Sequence, residues 1–146
     1  MLLNFPVFYL DENLCNCALV LGVFSRNHIA CERHLERFKR GALDKDWLPR
    51  VGRKGWIVLT TDKHYRYNAL ERVKCAKYRV RVFQFSAGVK GAANLAHVLE
   101  TALPEMLRFC ARHQAPFIAA LIPSGAVVLR WPLPDPPKKV HAAGVG

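Results

Sequence analysis

Short apolar segments alternate along this chain with segments of helical periodicity, and this alternation limits the fold more than any other feature. Pro6–Leu10 (PVFYL), Trp56–Thr61 (WIVLTT) and Val80–Phe85 are short and rich in β-branched or aromatic residues, which is typical of buried strands. Leu14–Phe24 and Ala92–His113 repeat apolar residues at helical spacing, which predicts helices. Strands that alternate with helices predict an α/β sandwich around a mostly parallel sheet.

The remaining segments complete this pattern. A second strand is predicted over His28–Cys31, and a short helix is predicted to start at Asp44, with Asp44 as its N-cap. A basic helix is predicted over about Tyr67–Ala76. Pro104 predicts a kink or break in the long helix near the end of the chain. Pro123-Ser-Gly125, between two apolar segments, predicts a C-terminal β-hairpin.

Length and composition fit one globular domain. The chain has 146 residues, of which 51% are hydrophobic, enough to bury a core. We expect a domain over residues 1–131 and a disordered tail over 132–146, because Pro, Ala and Gly dominate the tail. The apolar runs are shorter than a membrane span, and no basic leader precedes them, so the predicted location is the cytoplasm. Five cysteines without a Cys-x-x-Cys pair agree with a reducing compartment.

The formal net charge of +11 is unevenly placed. Fifteen of the 22 lysines and arginines lie between Arg33 and Arg81. This concentration favours a polyanionic partner such as nucleic acid, because each neutralised phosphate releases counterions. Two alternative interpretations are that the basic residues serve only solubility and that the basic face binds an acidic protein.

Two carboxylates follow predicted strands directly. Asp11 follows the first strand and Asp62 follows the strongest later strand, while Asp44-x-Asp46 lies at the predicted start of a helix between them. The carboxyl ends of parallel strands line one crevice, so these side chains are predicted to converge. Carboxylates that converge need a cation to stay ionised together, and their oxygens suit Mg²⁺ or Mn²⁺. The alternative interpretation is that each Asp only caps a turn or helix.

Three segments together resemble PIN-like domains. They are Phe8–Leu14 (FYLDENL), Asp44–Pro49 (DKDWLP) and Gly55–Lys63 (GWIVLTTDK). The closer likeness is to the short PIN-like proteins grouped with VapC-type toxins of bacterial toxin–antitoxin systems. It continues to Pro116–Ala119 and covers about residues 5–130.

The resemblance implies a PIN-like three-layer sandwich, in which helices flank the sheet, and an Mg²⁺- or Mn²⁺-dependent ribonuclease. It also implies an antitoxin protein as a partner and allows a homodimer. By position, Asp11, Asp46 and Asp62 are the implied catalytic residues and metal ligands. Asp44 is a competitor or helper of Asp46.

Residues close to these aspartates are predicted to support them. Lys63 and Arg66 could bind a phosphate, although both could equally be solvated charges. A second group could supply a further ligand or hydrogen bonds to the first ligands: Glu12, Asn13, Thr61 and Glu71. The chain departs from the larger PIN pattern because Ser86–Gly88 offers no fourth acidic ligand. A non-catalytic basic module that binds nucleic acid or an antitoxin therefore remains the alternative function.

Overall fold

The computed structural model of the protein describes residues 5–62 and 69–133, without the side chains of Asp44, Ala69 and Glu71. The strands are β1 (Val7–Leu10), β2 (Ala30–Arg33), β3 (Ile57–Thr60), β4 (Arg81–Phe85), β5 (Phe117–Leu121) and β6 (Val127–Trp131). The helices are α1 (Ala18–Arg26), α2 (His34–Arg37), α3 (Asp44–Lys54), α4 (Ala69–Tyr78) and α5 (Ala92–Arg112). The strands form one sheet in the order β2-β1-β3-β4-β5-β6. All neighbours are parallel except β5 and β6, so the predicted mostly parallel α/β sheet with a C-terminal hairpin is confirmed.

Successive residues of the central strands fill two separate cores, because side chains alternate between the faces of a sheet. On one face, Phe8, Leu59 and Phe83 pack in a cluster that includes buried residues of α1 and α5. On the other face, Tyr9 and Val58 pack in a cluster that includes residues of α3 and α4. The central strands are therefore buried on both sides, which explains their continuous apolar sequence. The result is a three-layer arrangement of helices, sheet and helices.

α3 and α4 approach each other closely at Gly52. A Cβ atom at Gly52 would lie 2.1 Å from the carbonyl oxygen of Tyr78, which is too close for any side chain. α3 then ends at Gly55, whose φ of +69° lies in the left-handed region that glycine adopts without strain. These two glycines fix where α3 ends and how near α4 can lie.

The first helix starts later in the structure than the sequence predicts. α1 begins at Ala18 and not at Leu14. The Asp11 carboxylate accepts the N–H of Leu14 at 2.9 Å, and the Asp11 carbonyl accepts the N–H of Cys15 at 2.9 Å. These bonds hold the chain in a turn before the helix starts. The second strand is also displaced, from the predicted His28–Cys31 to Ala30–Arg33.

Two further helix predictions are wrong in detail. Asp44 is the first residue of α3 and Leu43 occupies the N-cap position, so Asp44 is not the predicted cap. Of the kink or break predicted at Pro104, the break is absent, because α5 continues through Pro104 to Arg112. The basic helix predicted over residues 67–76 runs from Ala69 to Tyr78 among the described residues.

Residues 134–146, most of the predicted tail, lie outside the described residues. Of the helices described, none is both long and apolar enough to cross a bilayer.

Candidate active site

Asp11 and Asp62 lie at the carboxyl ends of neighbouring parallel strands. Asp11 directly follows β1, and Asp62 follows β3 by two residues. β1 and β3 pair in parallel with Leu10 opposite Leu59. Both aspartates line the same cleft. Of the predicted set, the structure therefore brings Asp11 and Asp62 together.

Thr60 connects the two aspartates. Its hydroxyl donates a short hydrogen bond to Oδ2 of Asp11, and the same hydroxyl oxygen accepts the N–H of Asp62 at 2.8 Å. Thr60 is 1% exposed, so the Thr60 end of both bonds is buried. Thr61, the threonine predicted to support the site, contributes its backbone N–H to Asp11.

Gln84 on β4 holds Asp62 from the other side. Gln84 lies opposite Thr60 in the register of β3 and β4, and its Nε2 donates to the Asp62 carbonyl at 2.7 Å. Gln84 and Thr60 are both buried polar residues in otherwise apolar strands. A polar residue in such a strand must find a buried partner, and this was the signal in the sequence that could have identified both.

The Asp11 carboxyl group has opposing influences on its ionisation. Burial raises the pKa of Asp11 above its ordinary value, because the charged form loses water. Hydrogen bonds from the Thr60 hydroxyl and from the backbone N–H of Leu14 lower that pKa, but by less than burial raises it. Asp11 is thus a desolvated carboxylate held in one orientation by several donors.

The cleft around these aspartates is small and carries three carboxyl groups. Its volume is about 210 Å³, which suits a phosphate group or a hydrated cation better than a nucleoside. The residues that line it are Asp11, Glu12, Asn13, His34, Gly41, Ala42, Trp47, Thr60 and Asp62. The cleft is acidic although the protein as a whole has a net charge of +11. Carboxylates that lie this close together repel one another, and a bound cation would relieve that repulsion.

His34 and Tyr9 were not recognised as site residues from the sequence. Tyr9 Oη lies 2.5 Å from Nδ1 of His34, and its ring stacks against Trp47 and Trp56. Burial raises the pKa of Tyr9, so its hydroxyl stays protonated. Nε2 of His34 lies 3.3 Å from the Lys39 carbonyl. Because a carbonyl only accepts, this contact assigns a hydrogen to Nε2 and lets Nδ1 accept from the Tyr9 hydroxyl.

The structure does not bring Asp46 into the acidic cleft. Asp46 is exposed on α3 and lines an adjoining hollow with Arg37 and Arg40. The adjacent Trp47 faces the cleft instead, because its ring packs on Tyr9 at 5.3 Å between centroids. The helical phase set by Trp47 turns Asp46 outward.

The remaining predicted site residues fall into two groups: those that line the cleft, and those that lie outside the described residues. Glu12 and Asn13 line the cleft with Asp11. Lys63 and Arg66 lie outside the described residues, as do the side chains of Asp44 and Glu71.

The carboxylates of the cleft are the donors available for the predicted metal ion. Carboxylate oxygens are the ligand type that Mg²⁺ and Mn²⁺ prefer, and Asp11, Glu12 and Asp62 supply them. Among the residues described, however, no group of three or more His, Cys, Asp or Glu side chains is placed to hold a metal ion. The donor chemistry therefore fits such a cation, while the described ligand set is incomplete.

The family comparison agrees with this geometry. A family model described as a PIN like domain matches residues 6–87, which is 82 of the 146 residues and includes β1 to β4 with Asp11 and Asp62. The chain therefore belongs to the PIN-like domain family. PIN-like domains are commonly nucleases, so the family points to a nuclease-type function in general. Searches of curated proteins and of solved structures found no match.

Proposed function

We propose that this PIN-like protein is a metal-dependent endoribonuclease that hydrolyses RNA phosphodiester bonds. The observation that carries the proposal is the bridge through Thr60, which brings Asp11 and Asp62 together in one acidic cleft. The net charge of +11 supports a polyanionic substrate.

Each residue of the cleft has a separate role in the proposed reaction. Asp11 and Asp62 would hold Mg²⁺ or Mn²⁺, which when bound supplies an activated water and neutralises charge at the phosphate. Thr60 and the N–H of Leu14 fix the orientation of the Asp11 carboxylate. Asp62, which lines the same cleft, can accept a hydrogen bond from a water molecule that approaches the phosphorus.

By resemblance, Asp46 or Asp44 remains the proposed metal ligand that lies between Asp11 and Asp62 in the sequence. Lys63 and Arg66 remain the proposed phosphate-binding residues. Asp46 would need to act from the adjoining hollow, because it does not line the acidic cleft. Replacing Asp46 therefore distinguishes two cases: a loss of cleavage supports the ligand role implied by the resemblance, and unchanged cleavage supports the position outside the cleft.

Cleavage of labelled RNA with added Mn²⁺ tests the proposal. Asp62→Asn is expected to lower the rate at least about 100-fold while RNA binding in EDTA persists, because the substitution keeps the shape but removes the charge. Glu105→Gln is the matched control, since it makes the same change from carboxylate to amide on α5, outside the cleft. Full activity of Asp62→Asn, or equal cleavage with and without EDTA, would contradict the proposal.

The finer assignment is a toxin of a toxin–antitoxin pair, which would act with a cognate antitoxin protein. It is supported by the resemblance to the short PIN-like group and by a surface charge that suits an acidic partner. Growth arrest on induction of the wild type but not of Asp62→Asn, with relief by co-expression of a neighbouring gene, is the expected result. Growth arrest by both proteins would contradict it.

One observation favours a second function, a non-catalytic nucleic-acid-binding module. The Asp11 carboxylate accepts the N–H of Leu14 at 2.9 Å, which is the bond that an aspartate makes when it only caps a turn. Such a module would bind RNA equally well with EDTA or Mn²⁺ and would leave it intact.

A further inference from the structure

The loop between α2 and α3 connects the acidic cleft with a basic surface. We call residues 38–43 the cationic loop; its sequence is Phe-Lys-Arg-Gly-Ala-Leu. Gly41 and Ala42 line the acidic cleft. The same two residues line an adjoining hollow of about 410 Å³ together with Lys39 and Arg40. The loop thus separates the acidic cleft from a hollow in which Arg37, Lys39 and Arg40 outnumber the single carboxylate, Asp46.

The basic surface continues beyond the loop. A second hollow, of about 520 Å³, shares Ala42 and Leu43 with the first one. Lys45, Lys77 and Tyr78 also line this second hollow. A chain of phosphates that leaves the acidic cleft along the loop would therefore meet further cations between α3 and α4.

Lys39 and Arg40 form no ion pair with a carboxylate among the described residues, although Asp46 lines the same hollow. Both side chains are exposed. Nearby arginines of the same region behave differently: Arg33 pairs with Glu36 at 2.8 Å, and Arg37 pairs with Glu32 at 2.8 Å. Lys39 and Arg40 are therefore exposed cations that a ligand can reach.

The cationic loop is fastened to the acidic cleft by two hydrogen bonds. Glu12, which lines the cleft, accepts a short hydrogen bond from the N–H of Gly41. His34 Nε2 faces the Lys39 carbonyl at 3.3 Å and lies 3.9 Å from the Glu12 carboxylate. Gly41 has a φ of +76°, a conformation that glycine adopts freely. Glu12 and His34 thus set the position of the loop relative to Asp11.

We propose that the cationic loop binds the substrate's phosphate backbone beside the scissile phosphate, and that Glu12 and His34 are its positioning residues. The proposal rests on the proposed ribonuclease function. The substrate segment in contact with the loop is single-stranded, because its backbone must pass from a cleft of about 210 Å³ directly over the loop. Lys39 and Arg40 each contact one phosphate.

Binding to a fluorescent single-stranded RNA in EDTA tests the loop without requiring cleavage. The double variant Lys39→Ala/Arg40→Ala is expected to bind more weakly, and its plot of log affinity against log salt should be shallower by about 1.4, from about 0.7 per phosphate contact of a single strand. The matched control is Arg53→Ala/Lys54→Ala, which removes the same two charges from the far end of α3. Equal losses in the two variants, or no RNA binding by the wild type, would overturn the proposal.

Steady-state cleavage with Mn²⁺ gives the second readout. The Lys39→Ala/Arg40→Ala variant is expected to raise KM at least about fivefold with kcat within about twofold, since it removes contacts made equally in the ground and transition states. A wild type that binds RNA through the loop but does not cleave it would refute the ribonuclease and leave the loop assignment standing. A wild type that cleaves, with an unchanged double variant, would refute the loop alone.

The role of Glu12 is tested by two variants that remove the same charge. Glu12→Gln keeps an acceptor for the N–H of Gly41, whereas Glu12→Ala does not. We expect Glu12→Ala to raise KM about fivefold or more and Glu12→Gln to restore most of that loss. An equal loss of kcat in both variants, accompanied by weaker Mn²⁺ binding, would make Glu12 a metal ligand and overturn its positioning role.

Discussion

Removal of the Thr60 hydroxyl group tests whether the link between the two aspartates holds the site. Thr60→Val keeps the size and β-branching of the side chain but deletes one donor and one acceptor. Asp11 then loses a hydrogen bond to its carboxylate, and the N–H of Asp62 loses its acceptor. Both losses occur at a residue that is 1% exposed, so water has little access to the Thr60 end of the two bonds.

The expected cost follows from these two bonds. A hydrogen bond to a charged group contributes about 1.5–3 kcal/mol, and a buried unsatisfied N–H costs about 1–3 kcal/mol. The two effects overlap after relaxation, so we expect Thr60→Val to lower the free energy of unfolding by about 2–4 kcal/mol. Because Asp11 also loses its fixed orientation, we expect kcat for RNA cleavage to fall on the order of 10-fold to 100-fold.

Thr61→Val provides the matched control for urea unfolding and cleavage assays. The Thr61 hydroxyl makes no hydrogen bond with any residue that the structure describes, while the Thr61 backbone N–H that contacts Asp11 remains in the variant. We expect the control to change the free energy of unfolding by less than about 1 kcal/mol. Equal stability and equal kcat in the two variants would refute the reasoning.

Three further predictions follow from other parts of the structure. Burial raises the pKa of Asp11, so its contribution to stability is present below the unfolded pKa and is lost as pH rises through the folded pKa. Asp11→Asn should remove that fall from the pH dependence of unfolding, and an unchanged dependence would contradict it. Gly52→Ala should destabilise the protein by more than about 2 kcal/mol in urea unfolding, since its Cβ would meet the Tyr78 carbonyl oxygen; a neutral effect would refute this close approach. Tyr9→Phe, which removes the hydrogen bond to His34, should cost about 1 kcal/mol in the same assay, and a stabilised variant would contradict it.

The sheet was predictable from local sequence because its strands are buried on both faces. Trp56–Thr61 is apolar and β-branched, and such a run has few alternatives to a central strand. The positions of Asp11 and Asp62 followed from the same reasoning, since parallel strands place their carboxyl ends together. The helix boundaries were less predictable, because the turn after β1 depends on hydrogen bonds to Asp11 that periodicity does not show.

The side chains that join the site were not predictable in the same way. Thr60 and Thr61 are adjacent threonines at the end of β3, and sequence reasoning selected Thr61 as the supporting residue. The structure gives the side-chain role to Thr60, because alternation along the strand directs its hydroxyl to Asp11. Likewise, Asp46 was predicted in the cleft, but the packing of Trp47 on Tyr9 turns it outward.

The sequence by itself determined the α/β class, the mostly parallel sheet and the two strand-end aspartates, since burial patterns and strand ends are local properties of the chain. Only the tertiary structure decided which polar groups meet. Glu12 and Gly41 are 29 residues apart, and Asp11 and Thr60 are 49 residues apart. Such pairs form because strand order and helix packing place them within hydrogen-bonding distance, and no local pattern contains that information.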